Sequence, residues 1–192
     1  MKNWIRSLLV VSALAGVALG PGADADAALN AYLKLKGQKQ GEIKGSVTQK
    51  GREGAIAVIA VSHSITSPRD PQSGLPTGQR MHKPFVFTKE LDRSTPLLYQ
   101  ALVNNENLAE FELSVFAPGD KAGKTPLYTV KLTNANIASI DVVTPPTGPT
   151  TTEVTLTYQK IEWVWHEGGV TAQDDWETPV AAVKVPKPAA KK

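Results

Sequence analysis

The stretch Lys83 to Leu102, reading KPFVFTKELDRSTPLLYQAL, changes structural character within a few residues. Phe85, Val86, Phe87 and Thr88 suit a strand, being aromatic or β-branched. A short helix is expected directly afterwards. Ser94 and Thr95 are placed to cap its first free N–H groups, and Pro96 fits at N1, where a missing N–H costs nothing. Leu98, Ala101 and Leu102 then fall at i, i+3 and i+4, which makes one apolar stripe. A helix of ~9 residues is not stable alone in water, so it has to lie against something larger.

The rest of the chain supplies a sheet for it. Leu33 and Leu35 alternate with Tyr32, Lys34 and Lys36, the pattern of a half-buried strand, and Gly37 and Gly41 bracket a turn before Glu42, Ile43 and Val47. Ala55 to Val61 is an uninterrupted apolar run and is expected as a strand buried on both faces. Phe111, Leu113 and Val115 alternate with Glu110, Glu112 and Ser114; Tyr128, Val130 and Leu132 alternate with Thr129, Lys131 and Thr133. With the turn from Ala117 to Thr125 between them, they form an expected antiparallel hairpin. Ile137 to Val143 adds a strand. Val154, Leu156 and Tyr158 share one face, whereas Ile161, Trp163 and Trp165 have the opposite parity, which predicts a bulge near Gln159–Lys160. Gly168-Gly169 is the turn that follows. The expected fold is mainly β: an antiparallel barrel or sandwich of about seven or more short strands with one short flanking helix.

Composition locates what lies outside that domain. Lys2 and Arg6 precede an apolar run, Leu8 to Leu19, broken by Ser12 and Gly16; Pro21-Gly22 and then A-x-A arrangements at 23–25 and 25–27 follow. Residues 1–27 therefore have the layout of a signal peptide cleaved after Ala25 or Ala27, the alternative being an uncleaved anchor or a buried first helix. The run falls short of the ~20 residues that span a bilayer, and no later segment reaches that length. Residues 28–177 are the expected domain. The tail 178–192 holds Lys184, Lys187, Lys191 and Lys192 with no acid, and reads as disordered. It accounts for the net charge of +3, so the body is near neutral and shows no basic face for nucleic acid. The absence of cysteine excludes disulfides, thiol nucleophiles and thiolate metal sites.

The order of these pieces carries a resemblance. Lys36-Gly37 then Gly41-Glu42, an apolar strand, a long loop, and Phe87-Thr88-Lys89 with Asp92 and Ser94-Thr95-Pro96 come first. Tyr128, Asn134-Ala135, Glu153-Val154 with Tyr158, Ile161 and Trp163, and a closing Asp175-Trp176 follow in turn. This order is similar to that of the haemolysin-coregulated protein (Hcp) family, the tube proteins of type VI secretion. The resemblance implies a β-barrel subunit that forms six-membered rings. Those rings stack into a tube that carries or chaperones effector proteins and is itself secreted, with a spike protein at the tube tip as a further partner. It also implies that the loop Ser67–Lys83, with Pro68, Arg69, Asp70, Arg80 and His82, contacts a neighbouring ring; an ordinary surface loop is the alternative. Ser62 and Ser64 are candidates to face the ring lumen. One feature departs from the pattern: tube subunits carry no cleavable leader. The second expectation is therefore an Hcp-like protein exported by the general pathway, acting as a stand-alone binding or ring-forming module in the periplasm or medium.

Nothing in the chain reads as an enzyme, and no cofactor or metal is expected. His63, His82 and His166 sit in three separate segments, whereas a metal needs several converging with a carboxylate. In Ser62-His63-Ser64 neighbouring strand residues face opposite ways, so no nucleophile–base pair forms locally. Glu110 and Glu112 share the wet face of a strand. Trp163 and Trp165 read as core, or as an exposed aromatic pair for carbohydrate or a partner.

Overall fold

The computed structural model describes residues 30–117 and 125–178. The expected leader, the tail beyond Thr178 and most of the Ala117–Thr125 turn lie outside the described residues. The first part of the chain gives β1 (Asn30–Gly37), β2 (Gly41–Ile43), β3 (Ile56–Val58), β4 (Ala60–Ser62), β5 (Ile65–Thr66), β6 (Met81–His82) and β7 (Phe85–Glu90). Helix α1 (Thr95–Val103) follows, then β8 (Asn107–Phe116), β9 (Tyr128–Thr133), β10 (Ala135–Val143), β11 (Thr151–Thr157), β12 (Lys160–Trp165) and β13 (Val170–Asp175). The mainly-β fold with one helix is as the sequence indicates.

Pairing is antiparallel throughout and its circuit closes. β8 pairs with β1 and β1 with β3; past Ile59 the chain continues as β4 against β7, then β7 pairs with β11, β11 with β10, and β10 returns to the start of β8. Closure removes the free edges that an open sheet exposes. β9, β12 and β13 extend this barrel as a wing from the second half of β8, and β13 is paired on one side alone. Inward residues alternate as the pleat requires: Leu33, Leu35, Phe85, Phe87, Phe111, Leu113, Val154, Leu156 and Ile161 are buried together. Phe85 and Phe111 meet edge-on with ring centroids 5.3 Å apart. Each such side chain contributes roughly 1.5–3 kcal/mol by leaving water.

Three sequence expectations need correction. Ala55–Val61 is not one doubly buried strand. It is β3 and β4, broken at Ile59, which is 56% exposed, and Ala57, Ala60 and Val61 are also outside the core. The chain is leaving β1 for β7 there, so one face has no neighbour to bury it. The parity change at Gln159–Lys160 is not a bulge within one strand. β11 belongs to the barrel and β12 to the wing, and Tyr158 and Gln159 form the corner between them. The sequence also missed β13, whose residues Thr171, Ala172 and Gln173 are exposed and carry no apolar signal.

The third correction concerns α1. Its start has no side-chain cap, and Pro96 is the second helical residue. The Ser94 hydroxyl donates to Asp92 instead (2.5 Å), and the Thr95 hydroxyl accepts from Lys89 Nζ (2.9 Å). Leu98 and Ala101 are buried, and the helix packs on β10. It ends in a Schellman arrangement, with Asn105 at positive φ, Glu106 N–H on Ala101 O and Asn105 N–H on Leu102 O. The Glu106 carboxylate then accepts the N–H groups of Lys39 and Gln40. A Cβ at Gly37 would stand 2.5 Å from that carboxylate, which gives the Lys-Gly turn its physical reason.

Candidate functional site

Two polar clusters flank β7, and one of them fixes a projection from the barrel. The projection is the segment read as a long loop. It is an arm with a ladder of its own: β5 pairs with β6, Arg69 bridges Pro76, and Lys83 N–H donates to Ser64 O at 2.9 Å. At its tip the Asp70 carboxylate accepts the N–H groups of Gln72 and Ser73 and the Ser73 hydroxyl, and Arg69 donates to Gly74 O. These hydrogen bonds hold the Asp70 carboxyl below its ordinary range. The segment thus carries hydrogen-bonded structure of its own. Leu75, 65% exposed, crowns the arm. Pro68, Arg69 and Asp70 lie in the outer half, Arg80 and His82 at the root.

The root is fastened to the barrel corner. His63, just after β4, places Nε2 2.5 Å from the Tyr158 hydroxyl; His82 places Nδ1 2.9 Å from the same oxygen. His82 Nε2 lies 2.8 Å from Asp174 Oδ2 on β13, and Arg80 Nε donates to that oxygen too. Arg80 also donates to Asp175 O at 2.6 Å, and Trp176 Nε1 donates to Tyr158 O at 2.6 Å. The expectation that the histidines are isolated therefore fails for two of them. Separated by 19 positions in sequence, His63 and His82 are brought together by the hairpin form of the arm. His166 stays apart, against the Thr129 hydroxyl.

Burial raises the Tyr158 hydroxyl, with help from the Asp174 charge, to about 12, so it keeps its proton and serves as donor and acceptor. Burial, then the nearby His82, pushes His63 below 6.5. Burial works to raise Asp174, but bonds and charge from Arg80 and His82 outweigh it and leave the carboxyl below 3.8. A cavity of about 350 Å³ opens beside the cluster, between Arg80, Met81, Pro84, Tyr158 and Trp176. The cluster holds a proton-bearing network without an activated nucleophile. Among the described residues no three His, Asp or Glu side chains converge as a metal site.

The second cluster comprises the motif residues at the head of α1. Lys89 is 0% exposed, and its Nζ donates to Asp92 Oδ1 (2.8 Å), Glu90 O (2.7 Å) and Thr95 Oγ1 (2.9 Å). Asp92 also accepts the Ser94 N–H and, from the β2–β3 connection, the Ser46 N–H at 3.2 Å. Burial opposes the Asp92 charge, yet Lys89 and Ser94 hold its carboxyl below 3.8. Phe87 is in the core and Thr88 half-buried. Trp163 packs on the core and Trp165 is 41% exposed, so the tryptophan pair is split. Ser62 and Ser64 are both exposed at the base of the arm.

Comparison with known proteins decides the family. A family model described as "Type VI secretion system effector, Hcp" matches residues 32–165, from β1 through β12. The chain belongs to the Hcp family of type VI secretion. A curated relative, the "Major exported protein" of Pseudomonas aeruginosa, is 36% identical over 167 residues, covering 79% of this chain and 97% of the relative. A crystal structure of an Hcp protein superposes with a TM-score of 0.70 at 35% identity, covering 77% of this chain and 99% of the other. A structure of Hcp1 from the E. coli EAEC 042 pathovar gives 0.70 at 36% identity, covering 78% and 99%. Each of the three covers just under four-fifths of this Hcp chain.

Proposed function

We propose that this Hcp-family chain is a structural subunit that assembles with identical copies into a closed ring, six-membered as the resemblance implies. Its arm contacts the next ring, so that rings stack into a tube carrying effector proteins. The single observation that supports this most is the arm. A 20-residue projection hydrogen-bonded along its length, fastened at its root and ending in an exposed Leu75, is ordered at an entropic cost that a free loop does not meet. A partner surface would give that order a purpose, and a neighbouring copy is the partner a ring offers. Arg80 and His82 are spent inside the chain, so the contact falls to Pro68, Arg69, Asp70 and Leu75. Ser62 and Ser64, exposed at the arm's base, are the residues proposed for the lumen side.

Electron microscopy of the full chain tests this reading. Annular particles and stacked cylinders are the expected result, with stacks shortened when residues 69–75 are replaced by a short Gly-Ser turn. Dispersed particles without annuli would refute it. The leader-like residues 1–27 favour a second reading, in which the same ring works after export as a stand-alone module. Intact mass of the protein recovered from cells separates the two: loss of 25 or 27 residues supports export, and a full-length cytosolic species supports the tube.

A further inference from the structure

The arm is held to the rest of the molecule by an unusual arrangement of two imidazoles on one hydroxyl. Among the described residues, the side-chain hydrogen bonds that leave the arm all come from its root, through His63, Arg80 and His82. The proton inventory of that root is constrained. His82 Nε2–H donates to the Asp174 carboxylate, which can only accept. In neutral His82, Nδ1 therefore accepts from the Tyr158 hydroxyl, and Tyr158 Oη accepts from His63 Nε2–H. Each atom on the line between the two rings is satisfied. With one extra proton, on His82, the line reverses: Nδ1–H donates to Tyr158 Oη, and the hydroxyl donates to His63 Nε2. Each atom on that line is satisfied again.

With two extra protons, one on each ring, it fails. Both imidazoles then present N–H to one oxygen, and the hydroxyl hydrogen has no acceptor left on either ring. Asp174 offsets charge on His82 and on Arg80, but none of its bonds reaches His63. Lys83, lining the adjoining cavity, and Arg80 add positive charge, and Asp175 is turned to Gln159 and the Glu177 N–H. His63 instead lies among rings, with centroids 5.5 Å from Phe85, 5.7 Å from Tyr158 and 6.5 Å from Trp163.

We propose that Tyr158, shared by His63 and His82, is a proton-counting latch: it holds the arm on the barrel while at most one of the two imidazoles is charged, and frees the arm when both are. Burial and the His82 charge already act against the second proton. The sign follows from linkage. A histidine whose docked value lies below 6.5 favours docking fully above 6.5, and that contribution fades as pH falls from there toward the depressed value. Asp174, held below 3.8, stays ionised across this window. Asp174 also lies beyond the span 32–165 that matches the family model, so the latch includes a residue outside that match.

The consequence for assembly rests on the reading of the arm as a contact between rings; the latch itself is tested on the arm alone, in whatever oligomeric state the full chain adopts. Hydrogen exchange of residues 64–83, corrected for intrinsic rates, is compared between about pH 7.5 and about pH 5, the interval in which histidines titrate. Arm protection should fall severalfold at the lower pH, while β7, β8 and β11 stay unchanged. His63→Phe keeps a ring among rings and removes the second proton, so its arm should exchange at one rate at both pH values. Arm exchange in the wild type that ignores pH, or a pH response that survives in His63→Phe, would overturn the proposal. Should that variant misfold, NMR titration of the wild-type imidazoles decides: a His63 midpoint below 6.5 supports the latch, and one at or above it refutes it.

Discussion

The two polar clusters on either side of β7 solve opposite problems with similar chemistry. At the head of α1, a fully buried Lys89 is tied to Asp92 and to two further fixed acceptors, and the result is rigid. At the root of the arm, the His63–Tyr158–His82 line is also largely buried, with Tyr158 in the core, but it has two proton arrangements of similar quality. A buried ion pair gives a single answer because removing either charge strands the other. A hydroxyl between two imidazoles gives a choice, since its hydrogen can point either way. The barrel needs the first kind of joint to fix where its helix begins. The proposed release of the arm would be served by the second.

The largest expected effect breaks the rigid side of this contrast. Lys89→Met keeps the stem and deletes the ammonium, stranding the Asp92 carboxylate and the Thr95 hydroxyl, and should cost about 3–5 kcal/mol in chemical denaturation. The two clusters should next separate by pH. Asp92 has a folded value below 3.8, so its contribution is complete above 3.8 and is lost as pH falls through that lower value. Barrel unfolding, followed by near-ultraviolet circular dichroism, should thus hold steady through the mild acid in which the arm loosens. Tyr158→Phe, smaller again, removes the shared hydroxyl and should lower the free energy of arm opening by about 1–2 kcal/mol in hydrogen exchange at neutral pH, leaving global unfolding nearly unchanged. The smallest stability effect belongs to the exposed arm tip. Leu75→Ser should change unfolding by less than about 0.5 kcal/mol, yet shorten the stacks seen by microscopy.

How much of this could be read from the chain differs between the same two places. The barrel was legible because period-two alternation in β1, β8 and β9 reports directly which face is buried, and the motif order around Phe87-Thr88-Lys89 pointed to the family. The capping role of Ser94 and Thr95 was misread because local rules consider the helix alone, whereas a buried Lys89 six positions before Thr95 claims the hydroxyl. The Ala55–Val61 run misled for a related reason: apolar composition says that a strand exists, but not that its neighbour changes at Ile59. β13 left no signal, since an edge strand with Thr171, Ala172 and Gln173 exposed has no pattern to show. His63 and His82 were invisible as a pair because only the arm's own ladder, built from Pro- and Gly-rich sequence, brings them to one hydroxyl.

The central claim is that this molecule works by presenting an ordered arm and a closed barrel to copies of itself. Native mass spectrometry of the full chain over a rising concentration series tests it most directly. The account predicts one dominant closed oligomer at an integral multiple of the 20.5 kDa chain, six being the expected number. A monomer at every concentration, up to the high micromolar range, would contradict it.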